Sequence, residues 1–427
     1  MTCFNILSLF PEIFENFFNI SLLKKAVENR IISFNLINIR DFSESKHKVV
    51  DDTPYGGGCG MVLKVEPIYK ALSSLTKDKR GRTILLSAKG EKLTQEKVKA
   101  LSKEKNITLI CGRYEGVDER VTRFIDDELS IGDFVLMGGE SAACCLIESI
   151  CRLLPGVIGK NESTINESYT SNFLEYPHYT KPREFCGLKV PEVLFSGNHK
   201  EIDKFRHFMQ VKTTFQRRID LIKNRKEPLS LEDVNIIKEV YKKKKYELFI
   251  GLIHYPVLNK NKEEVATAIT NLDIHDIARV GKTYEIKKYF IVNPVDEQVD
   301  YAKRIINHWR EGFGFKYNKN RSTALNIVDF SRTTEECIET VKKLTEKNLL
   351  VLGTSAQISK KIISIAKAQK LLEENAILLL FGTGWGLSDK VIEKVDFMLE
   401  PLYGLGDFNH LSVRSAVSII LDRLIGF

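Results

Sequence analysis

Residues 107–140 read ITLICGRYEGVDERVTRFIDDELSIGDFVLMGGE. The stretch opens on Ile107 to Gly112, a short apolar, β-branched run that stops at a glycine, which is the signature of a strand. Two glycine-dense segments follow, CGRYEGVDER at 111–120 and IGDFVLMGGE at 131–140. Working outward, Asn5 to Phe10 and Thr83 to Ser87 read as further strands, and Glu91 to Lys103 reads as a helix. Short strands alternating with amphipathic stretches imply a parallel α/β sheet over residues 1–160. A third glycine-dense segment, VDDTPYGGGCGM, spans Val50 to Met61. Glycines at strand ends let a ligand approach the main chain, whose N–H and C=O groups can read a purine edge without side chains. Each segment alone could be a tight turn, but three interleaved with strands in one domain favour a ligand-binding role.

The chain has 427 residues, too many for one ordinary core, so two or three domains are expected. Its net charge of +8 arises from 64 basic and 56 acidic residues, a mild bias that fits a polyanionic partner without requiring one. No stretch approaches the ~20 apolar residues of a membrane span, and the N-terminus runs into a strand-like segment rather than a signal, so a cytoplasmic protein is expected. Eight cysteines include the adjacent Cys144 and Cys145 but no CxxC, which points to buried free thiols rather than zinc or disulfides. No cluster has metal-ligand spacing, so no metal site is assigned.

Beyond the first domain the periodicity dissolves into a polar linker, 161–190, and resumes in a basic amphipathic helix, His199 to Arg218. That helix belongs to a small helical domain, 191–246. The run Lys242 to Lys245 closes it, as a solvated helix end or an RNA-backbone contact. Apolar runs at Leu248 to His254, Tyr289 to Val292, Leu349 to Gly353 and Ala376 to Phe381 define a second α/β domain, 247–427. The two halves show no residue-level repeat. Familiar nucleotide loops fail: there is no GxGxxG after a strand, and Asp276 stands where a P-loop ending in Gly281-Lys282-Thr283 needs glycine.

The segments KHKVVDDTPYGGGCGM, CGRYEGVDER, SIGDFVLMGGE, LPGVIGK and YPHYTKP resemble, in order and spacing, the bacterial tRNA (guanine-N1)-methyltransferases of the SPOUT class, over roughly residues 1 to 240. The resemblance implies a trefoil knot in the first domain, an obligate homodimer, S-adenosylmethionine as methyl donor, and the guanosine at tRNA position 37 as target. Cofactor contacts carry over onto Leu86, Ser87, Gly112, Gly116, Ile131, Gly132, Asp133, Phe134, Val135, Leu136, Gly138 and Gly139. Phe134 stands where the family often has tyrosine, and Ala88 and Ala142 stand where it often has proline.

Guanine N1 carries a proton at neutral pH, so methylation needs a base to remove it and a cation to stabilise charge growing on O6. Counting back without gaps from PHYTKP, the family's aspartate base falls on Glu167, which keeps the carboxylate on a longer arm; its arginine partner falls on Arg152. Without the resemblance, Glu167 is one acid in a polar loop, and Arg152 is a cation at a helix C-terminus. Asp51 is assigned to the substrate RNA, while Asp52 could be a turn residue. His178 and Tyr179 are expected to order the linker or touch RNA.

The segments HYPVLNK, NLDIHDIARVGKTY, FGTGWGL and LEPLYGLGDFNHLSVRSAVSIILDRL resemble a SPOUT-like RNA methyltransferase domain. The fold expected for the whole chain is therefore α/β, with two SPOUT-type parallel-sheet domains with trefoil knots plus the small helical domain. In the second, Gly382, Thr383 and Gly384 form one expected cofactor loop, and Leu411 and Ser412 precede a long apolar helix that Ser412 caps. Either this domain methylates a second RNA position, with His275, Arg279 or Arg414 near the reacting group, or it grips tRNA or strengthens dimerisation. The rival for the whole chain is an RNA-binding protein with an impaired first site, its activity lying in the second domain.

Overall fold

The computed structural model describes residues 1–158, 167–169, 173–243, 246–357, 361–406 and 408–427, in two compact units, Met1–Lys181 and Pro182–Phe427. In the first unit β1 (Thr2–Ser8), β2 (Ile32–Asn38), β3 (Arg82–Lys92), β4 (Asn106–Cys111) and β5 (Asp127–Ser130) form one parallel sheet in the order β2-β1-β4-β3-β5. The central β4 is covered on both faces, which is why it reads as a continuous apolar run. Ile107, Leu109 and Cys111 join one core with Phe4, Ile6 and Ile84, and Ile110 joins the other with Leu7, Leu85 and Leu63. Burying each such side chain contributes about 1.5–3 kcal/mol before the entropy cost.

The helix expected over Glu91–Lys103 is shorter than its periodicity suggests. Glu91 and Lys92 pair with Leu129 and Ser130 of β5, so strand β3 continues through them. Only then does α1 (Gln95–Leu101) start, with the Thr94 hydroxyl accepting from the Lys97 N–H. Sheet pairing has overridden local helix preference. The β3–β5 register shifts between Leu86 and Glu91, lifting the intervening residues out of the ladder. Helix α2 (Glu140–Leu153) lays Ala143, Leu146, Ile147 and Ile150 on the sheet at helical spacing.

The second unit begins with a two-stranded ribbon, Glu184–Phe185 against Leu188–Lys189, inside the stretch expected to be linker. Residues 161–166 and 170–172 of that linker lie outside the described residues. Helices α3 (His199–Arg217) and α4 (Leu231–Lys243) pack together, and the Phe215 ring meets that of Phe427 edge-on at 6.0 Å. Of the lysine run, Lys244 and Lys245 lie outside the described residues, and Lys243 makes an exposed ion pair with Glu239.

The rest is a second parallel sheet. Its strands are β6 (Glu247–Ile253), β7 (Lys288–Val292), β8 (Val328–Ser331), β9 (Leu349–Gly353), β10 (Ile362–Ile363), β11 (Ala376–Gly382) and β12 (Phe397–Leu399). They run in the order β8-β7-β6-β11-β9-β12-β10. Helices α5 (Asn271–Thr283), α6 (Asp296–Arg310), α7 (Phe313–Tyr317), α8 (Lys319–Leu325) and α9 (Val413–Ile425) include those that cover it. No helix among the described residues is long and apolar enough to cross a membrane.

All eight cysteines are free, but not all are buried as expected. Cys111, Cys151 and Cys337 are buried, whereas Cys59, Cys145 and Cys186 are exposed. Cys59 stands in the first glycine run and Cys145 on the outward side of α2, where neither position has a core to enter. Burial pushes the Cys151 and Cys337 thiols up to about 12, leaving both inert as nucleophiles at neutral pH.

Candidate active site

The three glycine segments meet at the carboxyl end of the first sheet. Glu115 N–H donates to Met61 O and Leu63 N–H to Gly116 O, both at 3.0 Å, tying the first segment to the second. Gly139 N–H donates to Gly112 O at 2.8 Å, and Arg113 bridges Gly138, tying the second to the third. Together the latter two segments enclose, with the bulge of β3, a cleft of about 290 Å³. Its walls include Leu86, Ser87, Gly112, Gly116, Ile131, Gly132, Phe134, Val135, Leu136, Gly138 and Gly139. Ala88 and Ala142 line it too. Asp133 does not, because its exposed carboxylate pairs with Lys92 at 2.7 Å.

The glycines are needed for closure. A Cβ on Gly139 would lie 2.8 Å from the Cys111 Cα, a backbone neighbour that cannot swing away, and one on Gly132 would strike the Phe134 ring. Charge was the feature that a reading for glycine missed. Arg113, Glu115, Glu119 and Glu128 also line the cleft, the first three from the segment CGRYEGVDER itself. Arg113 sits 2.9 Å from the carboxylate of Glu140, which is 2% exposed and accepts a hydrogen bond from Ser8 Oγ at 2.7 Å. Glu119 is occupied by Lys89 at 2.9 Å, and that hydrogen bond raises the Lys89 pKa. Glu115 makes no ion pair among the described residues.

S-adenosylmethionine combines a purine, a ribose, a cationic sulfonium and an amino acid. The cleft suits it: main-chain groups approachable at glycines, apolar walls from Leu86, Ile131 and Leu136, and the Glu115 carboxylate for a cationic group.

Arg152 and Glu167 are brought to each other but not to the cleft. The Arg152 Nε donates to Glu167 Oε2 at 3.2 Å and its Nη2 donates to Oε1, a contact that raises the Arg152 pKa. Arg152 stands in the last turn of α2, whose N-cap is the cleft residue Gly139. Thirteen helical positions separate them, about 20 Å at 1.5 Å per residue. Asp52 is neutralised by Lys64 at 3.1 Å, which also lowers its pKa, while Asp51 makes no ion pair among the described residues. His178 lies outside the cleft, exposed, with its ring 4.9 Å from that of Tyr176.

In the second unit the expected residues fall in different places. Gly382 ends β11, and the Thr383 hydroxyl donates to Ile253 O at 3.0 Å beside the buried His254, whose Nδ1 is 3.0 Å from the Thr267 hydroxyl. A separate cleft of about 570 Å³ collects Arg279, Arg414, Asp276, Thr283, Ser412 and neighbouring serines. Ser412 caps α9 by accepting from the Ser415 N–H, and Arg414 is held by Asp276 at 3.2 Å and Asp273 at 3.5 Å. Leu411 is half-exposed and outside that cleft. His275 is buried, with its ring 5.8 Å from Trp309, and burial lowers its pKa.

Residues 2–224 match the tRNA (guanine-1)-methyltransferase TrmD family, and residues 247–426 match a family of SAM-dependent RNA methyltransferases. A tRNA (guanine-N(1)-)-methyltransferase of Oleidesulfovibrio alaskensis is 40% identical over 425 residues, covering 99% of both chains. Its namesake from Nitratidesulfovibrio vulgaris is 40% identical over 428 residues, 100% of this chain and 99% of that one. The protein of that name from Clostridium tetani is 50% identical over 233 residues, only 55% of this chain but 96% of its own length. With matches at this identity running end to end, the chain belongs to the tRNA (guanine-1)-methyltransferase family, uses S-adenosylmethionine, and carries a second SAM-dependent RNA methyltransferase domain behind the first.

Proposed function

We propose that this chain methylates N1 of the guanosine at tRNA position 37, and that each working site is shared between two copies of the chain. The observation that carries the second half is the ~20 Å of helix α2 between Gly139 and Arg152. A base so far from its own cleft must serve the cleft of another molecule. Apolar side chains in the wall of that cleft also stand uncovered, with Val135 86% and Met137 90% exposed, as a surface awaiting a partner does.

S-adenosylmethionine supplies an electrophilic methyl group when bound. Main-chain groups of the second and third glycine segments, with Leu86 and Ser87, hold and orient it. Glu167 accepts the N1 proton of guanine on a carboxylate oxygen as the ring nitrogen becomes nucleophilic. Arg152 holds that carboxylate in place through its hydrogen bonds and presents N–H donors where negative charge grows on O6. Holding N1 in line with the departing bond supplies much of the remaining acceleration. Asp51 and His178 are placed on the tRNA, and the helical stretch 191–246 grips it as a small domain of its own. A trefoil knot in each sheet domain and a cytoplasmic location complete this reading.

For the second domain we favour its own cofactor site, at Gly382, Thr383, Gly384, Leu411 and Ser412, and a different RNA position. The test of the first site is methyl transfer from labelled donor to unmodified tRNA with guanosine or adenosine at position 37. Product from the guanosine transcript alone supports the assignment; equal labelling of both overturns it.

A further inference from the structure

From the last turn of α6 through α7 into α8 the chain reads HWREGFGFKYNKNR, residues 308–321, in which aromatic residues alternate with glycines and cations. Gly314 is buried, and a Cβ there would lie 2.6 Å from the Trp309 ring. Helix α7 therefore packs its glycine side on Trp309, and its aromatic residues turn outward. Phe313 is 73% and Tyr317 76% exposed, with ring centroids 6.3 Å apart and planes within 24° of parallel. Two large rings held face to face in water are uncommon without a ligand to cover them.

The surroundings say which ligand. From Lys303 to Arg321 there are six lysines and arginines and one acid, Glu311. Arg310 is used internally, donating to Val328 O at 2.9 Å, and Arg321 lies over Trp309 at 4.3 Å. Lys316 and Lys319, next to the two rings in sequence, are exposed and make no ion pair among the described residues. No aliphatic side chain occurs between Trp309 and Ser322, as a protein-docking face would need. Paired aromatic faces flanked by free cations are the composition of a single-stranded nucleic-acid platform, in which bases stack and lysines meet phosphates.

We propose that Phe313 and Tyr317 form a stacking platform for unpaired RNA bases, with Lys316 and Lys319 on the flanking phosphates. The site lies in the RNA methyltransferase domain and does not depend on the first domain's activity. It would deliver a loop or an end, rather than a duplex, to that domain.

The test uses the full chain and a labelled single-stranded oligoribonucleotide, with the same strand annealed to its complement as the control. Zero-length ultraviolet cross-linking and peptide mass spectrometry should place a cross-link within 308–321. The double variant Phe313→Ala/Tyr317→Ala should lose that cross-link and weaken single-strand binding about tenfold, with its thermal melt unchanged because both rings are exposed. Lys316→Gln/Lys319→Gln should instead flatten the dependence of affinity on salt. Labelling of guanosine 37 in a minimal stem-loop serves as the independent readout of the first site and should be unaffected. Cross-links only outside 308–321, or equal loss of single-strand and duplex binding in the ring variant, would overturn the proposal. So would a ring variant that changes oligomeric state by light scattering without RNA, since the rings would then be an interface between copies.

Discussion

Arg152 and Glu167 are hydrogen-bonded to each other at one end of α2, while the opposite end of that helix, at Gly139, closes the cleft. If, as proposed, that pair accepts the proton and the glycine loops bind the methyl donor, the two functions are separable by mutation. Glu167→Gln keeps the shape and a partner for Arg152 but removes the base. It should lower kcat by roughly 10²–10⁴, leave cofactor affinity within twofold by calorimetry, and be partly rescued by Glu167→Asp. A variant that loses cofactor binding as well would show that the pair is structural.

If two copies share each site, two inactive chains should complement. Glu167→Gln mixed with a cleft variant such as Gly139→Val should regain activity after subunit exchange, because one hybrid site combines an intact cleft with an intact carboxylate. Activity approaching a quarter of wild type is expected from random pairing. No recovery in a mixture shown to exchange subunits would place both functions within one chain.

Gly139→Ala adds a single Cβ, 2.8 Å from the Cys111 Cα. Backbone on both sides must shift, at a cost of about 1–3 kcal/mol, and the 131–139 loop moves with it. Calorimetry should show cofactor affinity reduced at least tenfold, whereas the same change at Gly116, which has nothing within 4 Å, is strained only by its positive φ.

Acid should loosen the second unit through His254. It is 1% exposed, and desolvation holds its pKa at about 4, below the model-peptide 6.5, against a weaker opposing pull from Asp273. A depressed histidine pKa means the fold prefers the neutral ring. Its contribution is thus complete above pH 6.5 and is lost as pH falls toward 4, up to about 3 kcal/mol. The melting temperature of the second unit should fall over that window and be flatter in His254→Gln. Identical pH profiles for the two proteins would remove His254 as the cause.

Much of this molecule is legible in its one-dimensional pattern. The runs at Ile107, Tyr289 and Ala376 are apolar without alternation because parallel strands covered on both faces have no solvent side. Ser412 marks the start of α9 because a hydroxyl there satisfies an orphan N–H. Local rules failed where a distant strand competed: Glu91 and Lys92 look helical, but β5 offers them a ladder. They failed again for cysteine, whose usual burial says nothing of which side of α2 Cys145 occupies.

The amino-acid sequence by itself determined the two parallel-sheet domains, the glycine segments and the residue types of the first site, since backbone preference and hydrophobic period are local properties. Only the tertiary structure decided that the second and third segments close on one cleft with the first tied to them, that Glu140 and Ser8 hold Arg113 in its wall, and that Arg152 and Glu167 meet each other a helix length away. Those relations depend on where the sheet carries each strand end, and such long-range geometry has no period to read.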